Sequence, residues 1–241
     1  MFTDFLETLV GLVYPPNCFT CKTPLYPRSP KGILCPKCLS QINFNLPPFC
    51  PKCSRHINNK IPRARCRLCA KNEPEFDFAW SACLYDETLK ALVHAFKYRQ
   101  KTGLRVLFGE LMKTFVEKYS LDIAQFDIIV PIPLYSASLR ERSYNQAELL
   151  ARYISSAFDK NISVGNLIKI RPTKDQVVLS QKERWTNVQG AFRIKKPDGF
   201  KNKAILIIDD LLTTGATSSE AAVELKKSGA EIVGVFTLAI A

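Results

Sequence analysis

Four Cys-x-x-Cys pairs near the start of the chain constrain its fold more than any other feature. They hold eight of the nine cysteines: Cys18/Cys21, Cys35/Cys38, Cys50/Cys53 and Cys66/Cys69. Each pair presents two thiolates on one turn, and two such turns complete the tetrahedral ligand set of a structural Zn²⁺ site. Secreted disulfide-rich domains seldom use a series of this kind, whereas zinc ribbons do. We therefore predict two structural zinc ions.

The spacing between the pairs favours a contiguous arrangement of ligands. The gap from Cys21 to Cys35 holds 13 residues and the gap from Cys53 to Cys66 holds 12, and both suit a ribbon hairpin. One ion would then take the first four cysteines and the other ion the last four. An interleaved arrangement, which joins the first pair to the third and the second to the fourth, stays open on spacing alone. The ninth cysteine, Cys83, lies in an apolar run and is interpreted as a small core residue.

Basic residues are concentrated in the same region. The chain has 34 Lys and Arg against 22 Asp and Glu, and no acidic residue lies between Glu7 and Glu73, where 11 basic residues fall. Eight thiolates and two Zn²⁺ ions would contribute −4 and change the net charge from +12 to +8. An acid-free basic segment is typical of a surface that binds a polyanion, nucleic acid first, with solubility alone as the alternative. Four aromatic residues interleave with these cations, either to stack on bases or to form the module's core: Phe19, Tyr26, Phe44 and Phe49.

Composition and targeting signals exclude several classes of protein. Hydrophobic residues make up 46% and charged residues 23% of the chain, which excludes disorder over its whole length. The longest apolar runs, near Asp127–Leu134 and Ala204–Ile208, are far shorter than the about 20 residues of a spanning helix, so we expect no membrane span. Residues Met1–Val13 carry Asp4 and Glu7 and lack the features of a signal peptide. Because thiols stay reduced in the cytosol, we expect a cytoplasmic protein.

Hydrophobic periodicity divides the chain into three predicted segments. Residues 1–16 predict an amphipathic helix that packs on the protein's own body. Residues 17–72 have little periodicity, and a module of that size needs metal ions as staples, here as a double zinc ribbon. In residues 76–241 apolar stretches of strand length alternate with helices. This pattern predicts an α/β domain with a parallel sheet covered by helices on both faces.

The individual elements follow from the same periodicity. Helices are predicted at Glu87–Tyr98, Leu104–Tyr119 and Tyr144–Phe158, and strands at Phe76–Tyr85, Phe126–Val130, Asn166–Ile170, Ala204–Ile208 and Glu231–Leu238. Two capping boxes, Ser180–Glu183 and Thr217–Glu220, predict two further helix starts, and Gly229 is expected to end the second of these helices.

The most specific segment is Ala204–Thr217, with the sequence AILIIDDLLTTGAT. An apolar strand leads into two adjacent acids, Asp209 and Asp210, and a short loop then enters a helix. Unpaired amides at the start of a helix point at an anion, and Gly215 lets the backbone bend close to it. Carboxylates repel phosphate, but they accept hydrogen bonds from vicinal ribose hydroxyls and suit a nearby Mg²⁺. The segment therefore predicts a site for a phosphorylated ribose.

This segment resembles the phosphoribosyl-pyrophosphate (PRPP) signature of type I phosphoribosyltransferases. The resemblance implies that Asp209 and Asp210 are the catalytic acids that hold the ribose hydroxyls. It also implies that the 5′-phosphate is held by a loop of five residues: Thr213, Thr214, Gly215, Ala216 and Thr217. Pro131 follows a predicted strand, where such folds place the pyrophosphate loop. The implied fold is a phosphoribosyltransferase-like sheet preceded by the cysteine-rich module.

Two further segments, Phe96-Lys97-Tyr98 and Arg140–Gln146, extend the match. Together with the cysteine pairs, they resemble the ComF family of competence-associated proteins, and this resemblance covers almost the whole chain. The resemblance implies that Lys97, Arg140 and Arg142 meet the pyrophosphate end of PRPP, where arginine suits bidentate contact with phosphate. A solvated surface charge is the alternative for each. Ser143 departs from the family, which usually has glycine there. Four residues are expected to order the neighbouring loop: Gln146, Gln176, Arg184 and Asn187.

The family resemblance implies a role in natural transformation, in which the protein handles incoming single-stranded DNA and binds Mg²⁺–PRPP or a nucleotide phosphate. It implies DNA-uptake or helicase proteins at the inner membrane as protein partners. An active phosphoribosyltransferase that acts on an unidentified acceptor is the alternative. A third hypothesis joins the two, with a phosphate ligand that regulates DNA handling.

Overall fold

A computed structural model describes residues 17–25, 33–57, 65–173 and 180–241. The helix predicted in residues 1–16, Tyr26 and Gln176 lie outside this part. Its α-helices are α1 Pro36–Leu39, α2 Arg67–Lys71, α3 Glu87–Tyr98, α4 Leu104–Lys118, α5 Ser136–Arg142, α6 Gln146–Ala157, α7 Gln181–Val188 and α8 Ala216–Lys227. None of these helices has the length and apolarity that a membrane crossing requires.

Five parallel strands form the central sheet. The strands of the described part are β1 Phe78–Leu84, β2 Ile128–Pro131, β3 Asn161–Ile162, β4 Leu167–Lys169, β5 Phe192–Ile194, β6 Ala204–Leu212 and β7 Ile232–Ile240. The sheet has the spatial order β1-β7-β6-β2-β3, with every neighbouring pair parallel. Strands β4 and β5 pair with each other in the antiparallel sense.

Strands β6 and β7 form the buried centre of the domain. Every residue of β7 except Ile232 is buried. Along β6 the side chains alternate between two apolar clusters: Leu206 and Ile208 pack with residues of α3, α4 and α6, whereas Ile205 and Ile207 pack with residues of α8. Helices therefore cover both faces, and the predicted α/β fold with a parallel sheet is confirmed.

Most predicted elements lie within two residues of their expected ends. Helix α3 matches at both ends, and its start is fixed by Asp86, whose Oδ1 accepts a hydrogen bond from Leu89 N at 3.0 Å and caps the helix. The capping box at the start of α7 is also confirmed. Ser180 Oγ accepts from the amide of Glu183, and the Glu183 carboxylate accepts from the amide of Ser180.

Two details at the end of β6 differ from the prediction. The strand continues past Ile208, so that Asp209 lies within it, because β7 runs alongside and pairs Asp209 with Thr237. The capping box predicted at Thr217 is wrong, since α8 begins at Ala216 and its N-cap is Gly215, two residues before Thr217, with φ at +81°. Glycine adopts this left-handed conformation without the steric cost of a Cβ atom, and Thr217 therefore lies inside the first helical turn.

The two cysteine-rich ribbons pack on opposite faces of the sheet. The segment between them pairs with the edge strand β1: Asn45 N donates to Ala82 O at 2.9 Å, and Leu84 N donates to Asn43 O at 2.8 Å. Ile42 of the first ribbon belongs to the apolar cluster of α3 and α4, whereas the last four cysteines belong to the cluster of α8. The chain thus crosses the edge of the sheet between the two ribbons, and each ribbon packs on an apolar face of the sheet in place of a core of its own.

Candidate functional site

The cysteines form two compact tetrads within the described residues: Cys18, Cys21, Cys35 and Cys38; Cys50, Cys53, Cys66 and Cys69. All eight thiols are free, and the four Sγ atoms of each tetrad lie within 4.8 Å of one another. The Sγ atoms of Cys21 and Cys35 are 3.6 Å apart, and those of Cys53 and Cys66 are 3.5 Å apart. A tetrahedral site with Zn–S bonds of about 2.3 Å needs sulfurs about 3.8 Å apart. Each tetrad fits one zinc ion, so the contiguous arrangement is confirmed and the interleaved one is wrong.

Backbone amides support the thiolates of both tetrads. Cys35 N donates to Cys18 Sγ and Cys66 N donates to Cys50 Sγ, each at 3.4 Å. Hydrogen bonds of this kind orient metal ligands. The tetrads differ in exposure, because Cys21 is exposed whereas all four cysteines of the second tetrad are buried. Cys83 lies apart in the core, where burial raises the pKa of its thiol, and it is a small core residue as predicted.

The two acids lie at the carboxyl end of β6. Asp210 is buried, its amide donates to Asp209 Oδ1 at 2.8 Å, and its Oδ2 lies 2.5 Å from Lys97 Nζ at the end of α3. Burial and the neighbouring Asp210 raise the pKa of Asp209 to about 8. Burial lowers the pKa of Lys97, but the charge of Asp210 outweighs it and the net shift is upward. One negative charge of the acid pair is therefore balanced by a protein cation.

The loop from Thr213 to Thr217 connects these acids to α8. Gly215 places the backbone against Phe76, whose ring would lie 3.4 Å from an added Cβ. The Ala216 amide donates to Thr214 Oγ1 at 3.4 Å, and the N-cap residue Gly215 has no side chain that could cap α8. The loop leads directly into the N-terminus of α8, and amides at helix N-termini are a common binding site for phosphate.

A polar cluster beside the acids draws one residue from each of three helices, Lys97 from α3, Arg142 from α5 and Gln146 from α6. Arg142 donates from Nη2 to Tyr98 Oη at 3.1 Å and from Nη1 to Gln146 Oε1 at 3.4 Å, and its guanidinium lies 4.8 Å from the Tyr98 ring centre. Gln146 Nε2 donates to Lys97 O at 3.5 Å. The structure therefore brings Lys97, Arg142 and Gln146 together beside Asp210.

The other residues predicted for the site differ in how they are placed relative to this cluster. Pro131 ends β2 and pairs with Ile208, next to the acids. Arg140 is exposed on α5, and no hydrogen bond or ion pair of the described residues ties it to the cluster. Arg184 and Asn187 lie on α7, and the neighbouring Gly190 amide donates to Glu220 Oε1 of α8 at 2.7 Å.

One residue at the loop escaped the sequence analysis. Arg55, two residues after Cys53, donates from Nη2 to the carbonyl oxygen of Thr213 at 3.0 Å. The sequence offered only its charge as a signal, and 158 positions separate the two residues. Their contact depends on how the second ribbon packs against the sheet.

Known proteins resemble the chain in both regions. A family model for the double zinc ribbon domain matches residues 9–71. Two solved structures align with low identity. A purine phosphoribosyltransferase from Pyrococcus horikoshii has a TM-score of 0.32 at 20% identity over 56% of this chain and 73% of its own. The allosteric regulatory enzyme of purine biosynthesis has a TM-score of 0.37 at 20% identity over 57% of this chain and 26% of its own. Alignments of this quality establish neither a substrate nor an activity.

Curated relatives match over much more of the chain. Competence protein F of Haemophilus influenzae is 30% identical over 227 residues, which cover 92% of this chain and 96% of that protein. The DNA utilization protein YhgH of Salmonella typhi is 29% identical over 94% of this chain and 98% of its own. Competence protein ComFC of Bacillus subtilis is 30% identical over 66% of this chain and 62% of its own. The chain belongs to the ComF family of competence proteins.

Proposed function

We propose that this protein supports natural transformation by handling single-stranded DNA during uptake, and that its loop binds Mg²⁺–PRPP or a nucleotide phosphate. The observation that carries the proposal is the similarity to Competence protein F over nearly the full length of both chains. The name of a second relative, DNA utilization protein, points to the same substrate class. The proposed place of action is the cytoplasm.

The DNA surface is proposed to lie on the ribbons and to act mainly through charge. Lys22, Lys37 and Lys71 are exposed there. Phe49 is less suited to stack on bases, because it is half-buried and packs against Phe115 and Tyr119, with ring centres 6.1 and 5.5 Å apart. Sequence-independent binding through phosphate contacts is the expected result.

The phosphoribose site is proposed at the end of β6. The first-turn amides of α8 would hold the 5′-phosphate, and the carboxylates of Asp209 and Asp210 would accept hydrogen bonds from ribose hydroxyls. Carboxylate oxygens also suit Mg²⁺, which would neutralise pyrophosphate oxygens when it binds with PRPP. Lys97 and Arg142 supply protein cations on the side from which the pyrophosphate would enter.

A phosphoribosyltransferase activity is the second candidate, and the pairing of two acids with two cations in one site favours it. The ribose–pyrophosphate bond would break as an acceptor attacks the ribose, and positive charge would develop on the sugar. Asp209 and Asp210 would stabilise that charge, while Lys97 and Arg142 would stabilise the leaving pyrophosphate.

Titration of fluorescently labelled single-stranded DNA by anisotropy, with and without saturating Mg²⁺–PRPP, tests the proposal. We expect binding at low salt that weakens steeply as salt rises, and a change of affinity when PRPP is present. Absence of DNA binding at low salt would contradict the DNA role. Restoration of transformation in a Haemophilus influenzae strain that lacks Competence protein F provides an independent cellular test.

A further inference from the structure

Arg55 physically joins the second zinc ribbon to the loop at the start of α8. Its Nη2 donates to Thr213 O at 3.0 Å. Its Nε is fully buried, and no hydrogen-bond acceptor for this atom lies among the described residues. A buried donor that lacks an acceptor is costly, so nearly all such groups in proteins bond to protein, water or a ligand. The guanidinium therefore has bonding capacity left beside the loop.

The backbone of Arg55 belongs to the metal-binding turn itself. Cys50 N donates to Arg55 O at 2.8 Å and closes the turn that carries Cys50 and Cys53. Ser54, between Cys53 and Arg55, has φ at +63°, and its Oγ accepts from the amide of Ser81 in β1 at 3.2 Å. The path of this turn, and with it the direction of the Arg55 side chain, depends on the four thiolates around the metal.

The segment that leaves the second ribbon also supports the loop. An added Cβ at Gly215 would lie 3.4 Å from the ring of Phe76 and 3.8 Å from Pro74. The amide of Glu75 donates to Ser219 Oγ, in the first part of α8, at 2.9 Å. The second ribbon thus contacts the loop and the start of α8 in two ways, through the Arg55 side chain and through residues 74–76, which follow the last cysteine.

We propose that Arg55 is a positioning residue through which the second zinc site and the phosphate loop are coupled. In a trans peptide the carbonyl and the following amide point in opposite directions. A guanidinium that holds the Thr213 carbonyl therefore turns the Thr214 amide to the other side of the loop, where the phosphate would bind, and adds a positive charge behind the loop. Because coupling between two sites is reciprocal, a phosphorylated ribose at the loop also stabilises zinc in the second ribbon. The inference rests on the proposed binding of a phosphoribose ligand at this loop.

Binding of Mg²⁺–PRPP to the full zinc-loaded chain, measured by calorimetry, tests the role of the side chain. Arg55→Met keeps the apolar stem and removes every donor, and we expect its dissociation constant to rise about tenfold or more, the effect of losing a charged hydrogen-bond donor. Arg55→Lys keeps a charge and a donor and should recover most of the affinity. Arg67→Met removes an exposed cation of the same ribbon and serves as the matched control. Two zinc ions per chain and equal melting temperatures for Arg55→Met and Arg55→Lys would show that folding is intact.

Release of zinc to a colorimetric chelator tests the coupling without any activity measurement. We expect two phases in the wild-type protein, and we expect Mg²⁺–PRPP to slow only the phase of the buried second tetrad. The first tetrad is an internal control in the same chain. In Arg55→Met, PRPP should slow neither phase.

The outcomes separate this inference from the proposed function. If the wild-type chain binds PRPP and Arg55→Met binds it equally well, or PRPP still slows the second-tetrad phase in Arg55→Met, the coupling through Arg55 is overturned while the phosphoribose site stands. If the wild-type chain binds no PRPP, the phosphoribose site and the coupling both fail.

Discussion

Lys97 Nζ lies 2.5 Å from Asp210 Oδ2, at the point where the end of α3 meets the end of β6. Both side chains are largely removed from solvent, with exposed fractions of 21% and 10%. The pair links the helix that covers one face of the sheet to the strand that carries the acids. A buried ion pair is destabilising to break because one charge is then left without compensation.

Replacement of Lys97 by methionine is expected to lower the free energy of unfolding by about 3 kcal/mol at pH 7, since the Asp210 carboxylate stays buried without its cation. Urea unfolding measures this change. Lys101→Met, at an exposed position just beyond α3, is the matched control and should have little effect. Adding Asp210→Asn to Lys97→Met should recover part of the loss, and a double variant as unstable as the sum of both single variants would contradict the coupling.

Asp209 should make the stability of the protein depend on pH. The pKa of Asp209 is raised from 3.8 to about 8 in the folded chain, so the folded state holds an extra proton between these values. The stabilisation that this proton gives to the folded state is complete below about pH 4 and is lost as the pH rises towards 8. Asp209→Asn cannot ionise, and we expect it to gain stability relative to wild type by more than about 1.4 kcal/mol between pH 5 and pH 8.5, the equivalent of one pKa unit.

The pH effect is measured by urea unfolding at both pH values. The exposed Asp198→Asn variant corrects for the loss of one carboxylate from the chain. A stability difference between Asp209→Asn and wild type that stays constant over this range would contradict the raised pKa.

Zinc should leave the first ribbon before the second. Cys21 is exposed in the first tetrad, whereas every cysteine of the second is buried under the sheet and α8. A chelator that forms a coloured zinc complex is expected to report a fast and a slow phase of equal amplitude. Cys21→Ser should remove the fast phase and Cys53→Ser the slow phase. Loss of the same phase in both variants would show that exposure does not control release.

Gly215→Ala should weaken PRPP binding as well as lower the stability of the fold. A residue with a side chain at φ +81° costs about 1–2 kcal/mol, and relief of this backbone strain would shift the loop, although the Cβ itself would lie at an ordinary contact distance of 3.4 Å from Phe76. Gly165→Ala is a close control, because Gly165 has φ at +76° and no atom lies within 4 Å of the added Cβ. We expect similar losses in urea unfolding but reduced PRPP affinity only for Gly215→Ala; equal affinities would argue against a loop-bound phosphate.

The affinity for single-stranded DNA should depend on the exposed lysines of the ribbons and not on base stacking by Phe49. For single strands the slope of log K against log salt changes by about 0.7 for each phosphate contact. The combined Lys37→Gln and Lys71→Gln variant, with one exposed cation removed per ribbon, should reduce the slope by about 1.4. Phe49→Leu should leave the slope unchanged, because Phe49 packs against Phe115 and Tyr119. A large loss of affinity in Phe49→Leu with the fold intact would restore base stacking as the mechanism.

Features that are local in sequence could be predicted from the sequence. The spacing within and between the cysteine pairs predicts two zinc tetrads and favours the contiguous arrangement, and the structure then selects that arrangement over the interleaved one. The run from Ala204 to Thr217 specifies strand, acids, loop and helix in one uninterrupted segment. Helix α3 begins where predicted because Asp86 caps its first turn locally. In each case the interacting residues are separated by few rotatable bonds, so residue type and spacing are sufficient.

Contacts between residues that are far apart in the chain were decided only by the tertiary structure. No pattern in the sequence shows that Asn45 pairs with the edge strand β1, or that the two ribbons pack on opposite faces of the sheet. The contact of Arg55 with Thr213 and the pairing of Lys97 with Asp210 likewise depend on packing between elements far apart in the chain. The physical cause of these contacts is the burial of apolar surface. Ribbons without a core of their own must pack on the apolar faces of the sheet, and this packing brings the turn that carries Cys50 and Cys53 to the phosphate loop.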